Sequence, residues 1–313
     1  MAVIKKEAYF MSSNGHTKIR TLIWENDEGE HIGIFQIAHG LSEHIDRYDE
    51  FARFLAADGF IVCGNDHIGH GKSASTFDEL GDFGEEDTYV RMIDDMHILH
   101  NIMIKRNPGL PYYLFGHSMG SFCARLYAQN FGYELSGLII CGTGNFSDKF
   151  APLEIAAELA ADKLGRDRRS DAASEIFGTV TSKIYGDQDI RAWLSLSRAN
   201  RENFSSDPLC GGEITLGSSL TVMKLALKSS SKEWYDTFPV ELPVLLISGA
   251  KDSIGMFGRG VLQVCDGLES RGVETEMILY PGMRHEILNE DDREKVFGDI
   301  RKWLYMHLNA YNM

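Results

Sequence analysis

A chain of 313 residues with 43% hydrophobic and 25% charged side chains suits one large α/β domain or two small ones, and its composition excludes disorder. Its 46 acidic against 31 basic residues leave a net charge of −15, which opposes approach to phosphate backbones and removes nucleic acid as an expected partner. The first residues lack an apolar signal core and no stretch reaches the ~20 apolar residues of a membrane span, so a soluble, cytoplasmic protein is expected.

The chain opens with two alternating stretches, 7–13 and 17–25, joined by Ser13-Asn14-Gly15, which is a hairpin signal. Continuous apolar runs typical of strands covered on both faces follow at 32–38, 60–63, 112–115, 138–141, 244–247 and 276–280. Helical spacing fills the intervals at 48–58, 89–105, 259–270 and 293–308. The β-α-β-α order predicts a mostly parallel, doubly wound sheet with an N-terminal antiparallel hairpin. One region, 145–236, breaks this alternation. It carries helical patterns rich in Ala, Leu and Ser, no convincing strand, and turns such as 165–169 and 186–189. It is expected to be an inserted helical cap, with 1–144 and 237–313 forming the core. Within it, 152–164 places Glu154, Glu158 and Asp162 on one narrow stripe and apolar residues over most of the rest. That helix is expected to pack on the core, with part of its apolar surface lining a channel. The five cysteines, Cys63, Cys123, Cys141, Cys210 and Cys265, show no C-x-x-C pair and read as buried free thiols in a reducing compartment.

Chemistry concentrates at the strand exits. Gly116-His117-Ser118-Met119-Gly120 follows a strand-like run and precedes a helix-like one, the setting of a G-x-S-x-G nucleophile elbow. A serine on so sharp a turn sits in strained backbone, and side chains two residues to either side collide with neighbouring elements, hence Gly116 and Gly120. The amides of the following helix point at the serine. A serine hydroxyl is a weak nucleophile and needs a base held by a third group. Asp252 leaves the 244–247 strand through a glycine turn, and His285 leaves the 276–280 strand just before the last helix. Ser118, Asp252 and His285 therefore read as nucleophile, orienting acid and general base, in the chain order of α/β-hydrolases. Backbone N–H groups of Met119 and of Leu41, in His39-Gly40-Leu41-Ser42-Glu43-His44, are the expected oxyanion donors. His39 and His44 read as loop-fixing hydrogen bonders, and Cys123 as a core residue.

Together with Asp66-His67-Ile68-Gly69-His70-Gly71-Lys72-Ser73 and Arg284-His285-Glu286, these blocks resemble the monoacylglycerol lipase and lysophospholipase branch of the α/β-hydrolases, of serine aminopeptidase S33 type. The resemblance covers nearly the whole chain; in the 145–236 insertion it extends only to the position and helical character of the family's cap. It implies an α/β-hydrolase fold, a triad of Ser118, Asp252 and His285, and oxyanion donation from Leu41 and Met119. The substrate it implies is a monoacylglycerol, lysophospholipid or similar single-chain ester. Ser42 stands where the family's H-G-x-G-E-H motif has its second glycine, which should restrict the loop. The block from Asp66 to Ser73 offers ligand types a metal accepts, but its glycines suit a rigid hydrogen-bonded loop, and neither metal nor cofactor is expected. Thioester, amide and aminopeptidase-like chemistry remain open on the same triad; an aminopeptidase would need an acidic anchor such as Glu154, Glu158 or Glu175. A catalytically silent binding protein is the alternative outside enzymes. Transient membrane contact through the cap is compatible with a lipid substrate.

Overall fold

The computed structural model describes residues 2–84, 87–146, 151–170 and 181–311. Its strands are β1 (Val3–Met11), β2 (Lys18–Asn26), β3 (Gly33–Ala38), β4 (Phe60–Asn65), β5 (Tyr112–His117), β6 (Gly137–Cys141), the two-residue β7 (Arg169–Ser170) and β8 (Ile214–Thr215), β9 (Val244–Gly249) and β10 (Thr275–Tyr280). The expected hairpin forms: β1 and β2 pair antiparallel from Val3 opposite Asn26 to Met11 opposite Lys18. An eight-stranded sheet follows in the order β1-β2-β4-β3-β5-β6-β9-β10. β2 also meets β4 antiparallel, and every pairing from β4 onward to β10 is parallel. Parallel strands place all their carboxyl ends along one edge, so the loops after β3, β5, β9 and β10 converge there.

The alternation along each strand divides the core in two. Phe35, Ile37, Tyr113 and Phe115 face helices α1 (Asp49–Ala57) and α9 (Arg293–Tyr311), where Phe51, Leu55, Phe297 and Trp303 complete one cluster. Leu114, Leu138, Ile140 and Leu246 face α2 (Thr88–Arg106), α3 (Met119–Phe131) and α8 (Arg259–Glu269). Strands buried on both faces account for the continuous apolar runs in the sequence.

Between β6 and β9 lie α4 (Ala151–Leu164), α5 (Arg198–Ser206), α6 (Leu216–Lys228) and α7 (Lys232–Thr237), none of which carries a strand of the main sheet. The region is not free of strand, however: β7 and β8 form a small antiparallel ladder. The expectation for α4 also needs correction. α4 packs against α6, but Ala161 and the half-buried Ala157, Glu154 and Glu158 face inward, whereas Ile155, Leu159 and Leu164 are exposed. Small alanines permit close helix approach, and Arg166 pairs with Glu158 and Asp162 at that edge. Four cysteines are buried as expected, while Cys210 is only half-buried; all five are free.

Candidate active site

At the exit of β5, Ser118 adopts φ 54° and ψ −119°, a left-handed conformation that a non-glycine residue holds only under strain. The turn is as tight as the spacing demands. A Cβ on Gly116 would lie 2.3 Å from the Gly120 carbonyl oxygen, and one on Gly120 would lie 2.2 Å from that of Ala38. The Ser118 amide donates to Cys141 O on β6 (3.0 Å). α3 begins at Met119, so its unpaired N-terminal amides and positive dipole end surround the serine.

Asp252 and His285 meet across the exits of β9 and β10, with His285 Nδ1 2.9 Å from Asp252 Oδ2. Both are buried, at 0% and 2% exposure. Burial alone would push the Asp252 carboxyl up, but the charge and hydrogen bond of His285 and the Ile254 amide outweigh it and hold the carboxyl below its ordinary value. Ile254 N donates to Oδ1 (2.8 Å) and Ser248 Oγ to Oδ2 (3.2 Å), so the carboxylate is fixed before the imidazole uses it. The His285 ring lies 4.7 Å from that of His117, the residue preceding Ser118, and 5.3 Å from Trp193 in the segment between β6 and β9. A Cβ on Gly142 would touch both His117 and His285 at 3.2 Å. The structure thus brings the three exits carrying Ser118, Asp252 and His285 to one place.

The loop after β3 closes over the serine. A Cβ on Gly40 would stand 3.2 Å from Ser118 Cβ, so glycine here lets the main chain reach the nucleophile. Gly40 N donates to Glu43 Oε1 (2.6 Å), whereas no acceptor engages the Leu41 amide among the described residues. Ser42 takes φ 52°, the region that favours glycine, and the departure costs roughly 1–2 kcal/mol. Its carbonyl accepts from Gly211 N (2.8 Å) between β6 and β9, which holds the strained turn in place. His39 is fully buried, with Nδ1 2.8 Å from Gly40 O and Nε2 accepting from His67 N at 3.0 Å. It fixes the loop, as the sequence suggested. Asp66 is likewise occupied: its carboxylate accepts from the amides of Ile45 and Lys72, both at 2.9 Å, and from Arg20. Asp66, Ser73 and His70 Nδ1 are held by hydrogen bonds, whereas both ring nitrogens of His67 and Nε2 of His70 have none among the described residues.

Beneath the loop lies a network the sequence reading passed over. Arg47 Nη1 donates at 2.6 Å to both Glu43 and Glu286, and Nη2 donates to Glu286 (2.7 Å) and Asn200 (3.1 Å). Asn200 Nδ2 returns to Glu286 at 2.6 Å. Glu43 further accepts from Gly40 N and Tyr48 Oη and lies 3.3 Å from His117 Nδ1. One guanidinium therefore ties the loop carrying Leu41 to the residue following His285 and to α5. The adjacency of Glu286 to His285 was a visible signal; that Arg47 reaches it across 239 residues was not.

His44 makes a second link. It is buried between Asp207 (Nε2 to Oδ2, 2.8 Å) and Asp46 (3.6 Å). Desolvation works against its charge, but Asp46, Cys210 and Asp207 overcome this and push its pKa up to about 11 from 6.5. This stabilisation is complete below pH 6.5 and is lost as pH rises toward 11. Thermal melts across that range should show a declining Tm, with a flatter decline in His44→Gln; identical slopes would remove the ion pair from the account.

This sheet order, with a strained serine at one exit and an acid–histidine pair at two others, is that of the α/β-hydrolases. The chain belongs to the serine aminopeptidase, S33 family of hydrolases (Hydrolase_4), whose model matches residues 29–292. It is 26% identical to a monoacylglycerol lipase of Mycolicibacterium smegmatis over 94% of this chain and 95% of that one. It is also 26% identical to the Homo sapiens monoglyceride lipase, over 86% of this chain and 80% of its relative. Among solved structures, a highly thermostable carboxyl esterase from Bacillus coagulans superposes with a TM-score of 0.90 at 30% identity, covering 98% of this chain and 100% of that one.

Proposed function

We propose that the protein is a serine carboxylic-ester hydrolase acting on monoacylglycerols, lysophospholipids or similar single-chain acyl esters. The observation that carries this reading is the Asp252–His285 pair set beside the strained Ser118 turn, under a loop that offers the Leu41 amide. Ser118 attacks the ester carbonyl while His285 takes its proton. Asp252 fixes the imidazole through Nδ1 and stabilises the imidazolium. The amides of Leu41 and Met119 receive the developing oxyanion, a contribution of about 3 kcal/mol per donor in comparable sites. The tetrahedral intermediate collapses, His285 returns the proton to the leaving alcohol, and water then attacks the acyl-enzyme along the same route.

Residues 145–236 act in this reading as a cap over a core of 1–144 and 237–313. Trp193 beside His285, and Gly211 bound to Ser42, support a position of that segment over the reacting groups. The outward Ile155, Leu159 and Leu164 suit transient contact with a lipid surface holding the substrate. The lipase names among its relatives and the carboxyl esterase among its structural neighbours support an ester substrate. Of the acidic anchors an aminopeptidase-like reading would need, Glu158 pairs with Arg166, Glu154 is half-buried, and Glu175 lies outside the described residues.

The test is a panel of p-nitrophenyl esters of increasing acyl length, with 1-monoacylglycerol, acyl thioester and aminoacyl amide alongside. Ester turnover peaking at medium or long chains, with monoacylglycerol cleaved, is expected. Amide turnover exceeding ester turnover would overturn the assignment.

A further inference from the structure

At the other end of the sheet from Ser118, α2 and the turn after α3 bring together three groups that the ester chemistry does not use. His97 and His100 are three residues apart on α2 and share a face, and Glu134 belongs to the turn Gly132–Glu134. One ligand atom from each lies within 4.8 Å of the other two. The His100 ring packs 4.3 Å from Tyr112, the first residue of β5, whereas Ser118 follows the last residue of that strand.

His100 is poorly explained as packing. His100 is fully buried, yet neither of its ring nitrogens makes a hydrogen bond. Its Nδ1 stands 3.4 Å from Glu134 Oε2. An unsatisfied buried polar side chain is uncommon and marks either strain or a missing partner. His97 is already oriented: its Nδ1 is 3.1 Å from Tyr127 Oη and its ring stacks on Phe131 at 3.8 Å. A ligating histidine ordinarily has such an outer hydrogen bond on its other nitrogen. Glu134 has a side chain 46% exposed, giving an entry path from solvent.

We propose that His97, His100 and Glu134 bind one divalent transition-metal ion, Zn²⁺ or a similar borderline cation, with water completing the coordination. Two imidazoles and a carboxylate are a donor set that Zn²⁺, Co²⁺ and Ni²⁺ accept. Small side-chain adjustments bring the three atoms to the ~3.3 Å spacing that ~2.0 Å bonds to a tetrahedral ion require. The ion would join α2 to the α3–β6 turn and satisfy His100, stabilising the fold without touching the catalytic edge. His44, Asp207 and Cys210 form a second grouping of ligand types. There His44 is charged and tied to two aspartates, and an ion would have to displace that proton.

The experiment is calorimetric titration of the metal-free full chain with Zn²⁺ in a Cys210→Ser background, which disables the second grouping. Co²⁺ absorption and Tm are read in parallel. One saturable equivalent, visible Co²⁺ d–d bands and a Zn²⁺-dependent rise in Tm are expected. Glu134→Gln and His97→Gln lie at the accessible side of the site and should keep full ester turnover. Each should weaken binding by at least the roughly 10-fold that loss of even an outer partner costs. Absence of a saturable equivalent, or affinity in both variants equal to that of the parent, would overturn the site.

Discussion

Replacing Ser118 by alanine is expected to lower kcat for ester hydrolysis by about 10⁴-fold or more, with Tm and circular dichroism unchanged or slightly improved. The size of the effect follows from the chemistry: without Oγ no acyl-enzyme forms, and only oxyanion donation and binding remain to assist water. Stability should hold because Ser118 is only half-buried and its side chain packs into no core cluster. Asp252→Asn should approach the same loss by a different route. An asparagine presenting its NH2 to Nδ1 stabilises the wrong tautomer, and in either orientation it no longer balances the imidazolium. Its kcat should therefore recover partly at high pH, whereas that of Ser118→Ala should not. A Ser118→Ala protein that keeps a tenth of wild-type turnover would place the nucleophile elsewhere.

Arg47→Met is expected to be the most destabilising single change near the site. It leaves Glu43 and Glu286, both 3% exposed, without their shared cation. Breaking a buried ion pair from one side costs about 3–5 kcal/mol, which chemical denaturation can read directly. Adding Glu286→Gln to Arg47→Met should restore part of the loss, with a coupling of roughly 0.5–3 kcal/mol. The pH dependence has a definite sign. Burial opposes the charge on Glu43, but Arg47 and His117 hold its pKa well below the ordinary 4.5; Glu286 is likewise depressed, chiefly by Arg47. The stability these groups contribute is present above pH 4.5 and is lost as pH falls through their native values. Without Arg47 their pKa values rise, so the acid-unfolding midpoint should move to higher pH. Turnover should fall as well, because Glu43 positions Gly40 and with it the Leu41 amide. An Arg47→Met protein with wild-type stability and acid tolerance would show that the network is incidental.

The fold was legible because its strands lie in a doubly covered sheet. Runs such as Tyr112 to Phe115 have no polar alternation to obscure them, and the structure extends that strand only to His117. The Ser118 turn was legible because backbone geometry forces its flanking glycines, and the contacts a Cβ would make at Gly116 and Gly120 bear out that reasoning. What escaped was whatever depended on distant chain segments meeting. Arg47 carries no local signal of its role, because its partner Glu286 arrives from the far end of the chain. α4 misled because its amphipathic pattern names an apolar face without saying what covers it. Close packing on α6 selected the alanine side and left Ile155 and Leu159 outside. Ser42 shows a third kind of limit: its left-handed φ is held by Gly211, which no local pattern around Ser42 contains.

The most direct measurement is intact-protein and peptide mass spectrometry after treatment of the native chain with a fluorophosphonate. An assembled serine triad should take up one phosphonyl group per chain, mapped to Ser118, with labelling absent in Ser118→Ala and much slower in His285→Ala. A well-folded native protein that stays unlabelled, or carries the adduct on another serine, would contradict the proposal that Ser118, Asp252 and His285 form a working nucleophilic centre.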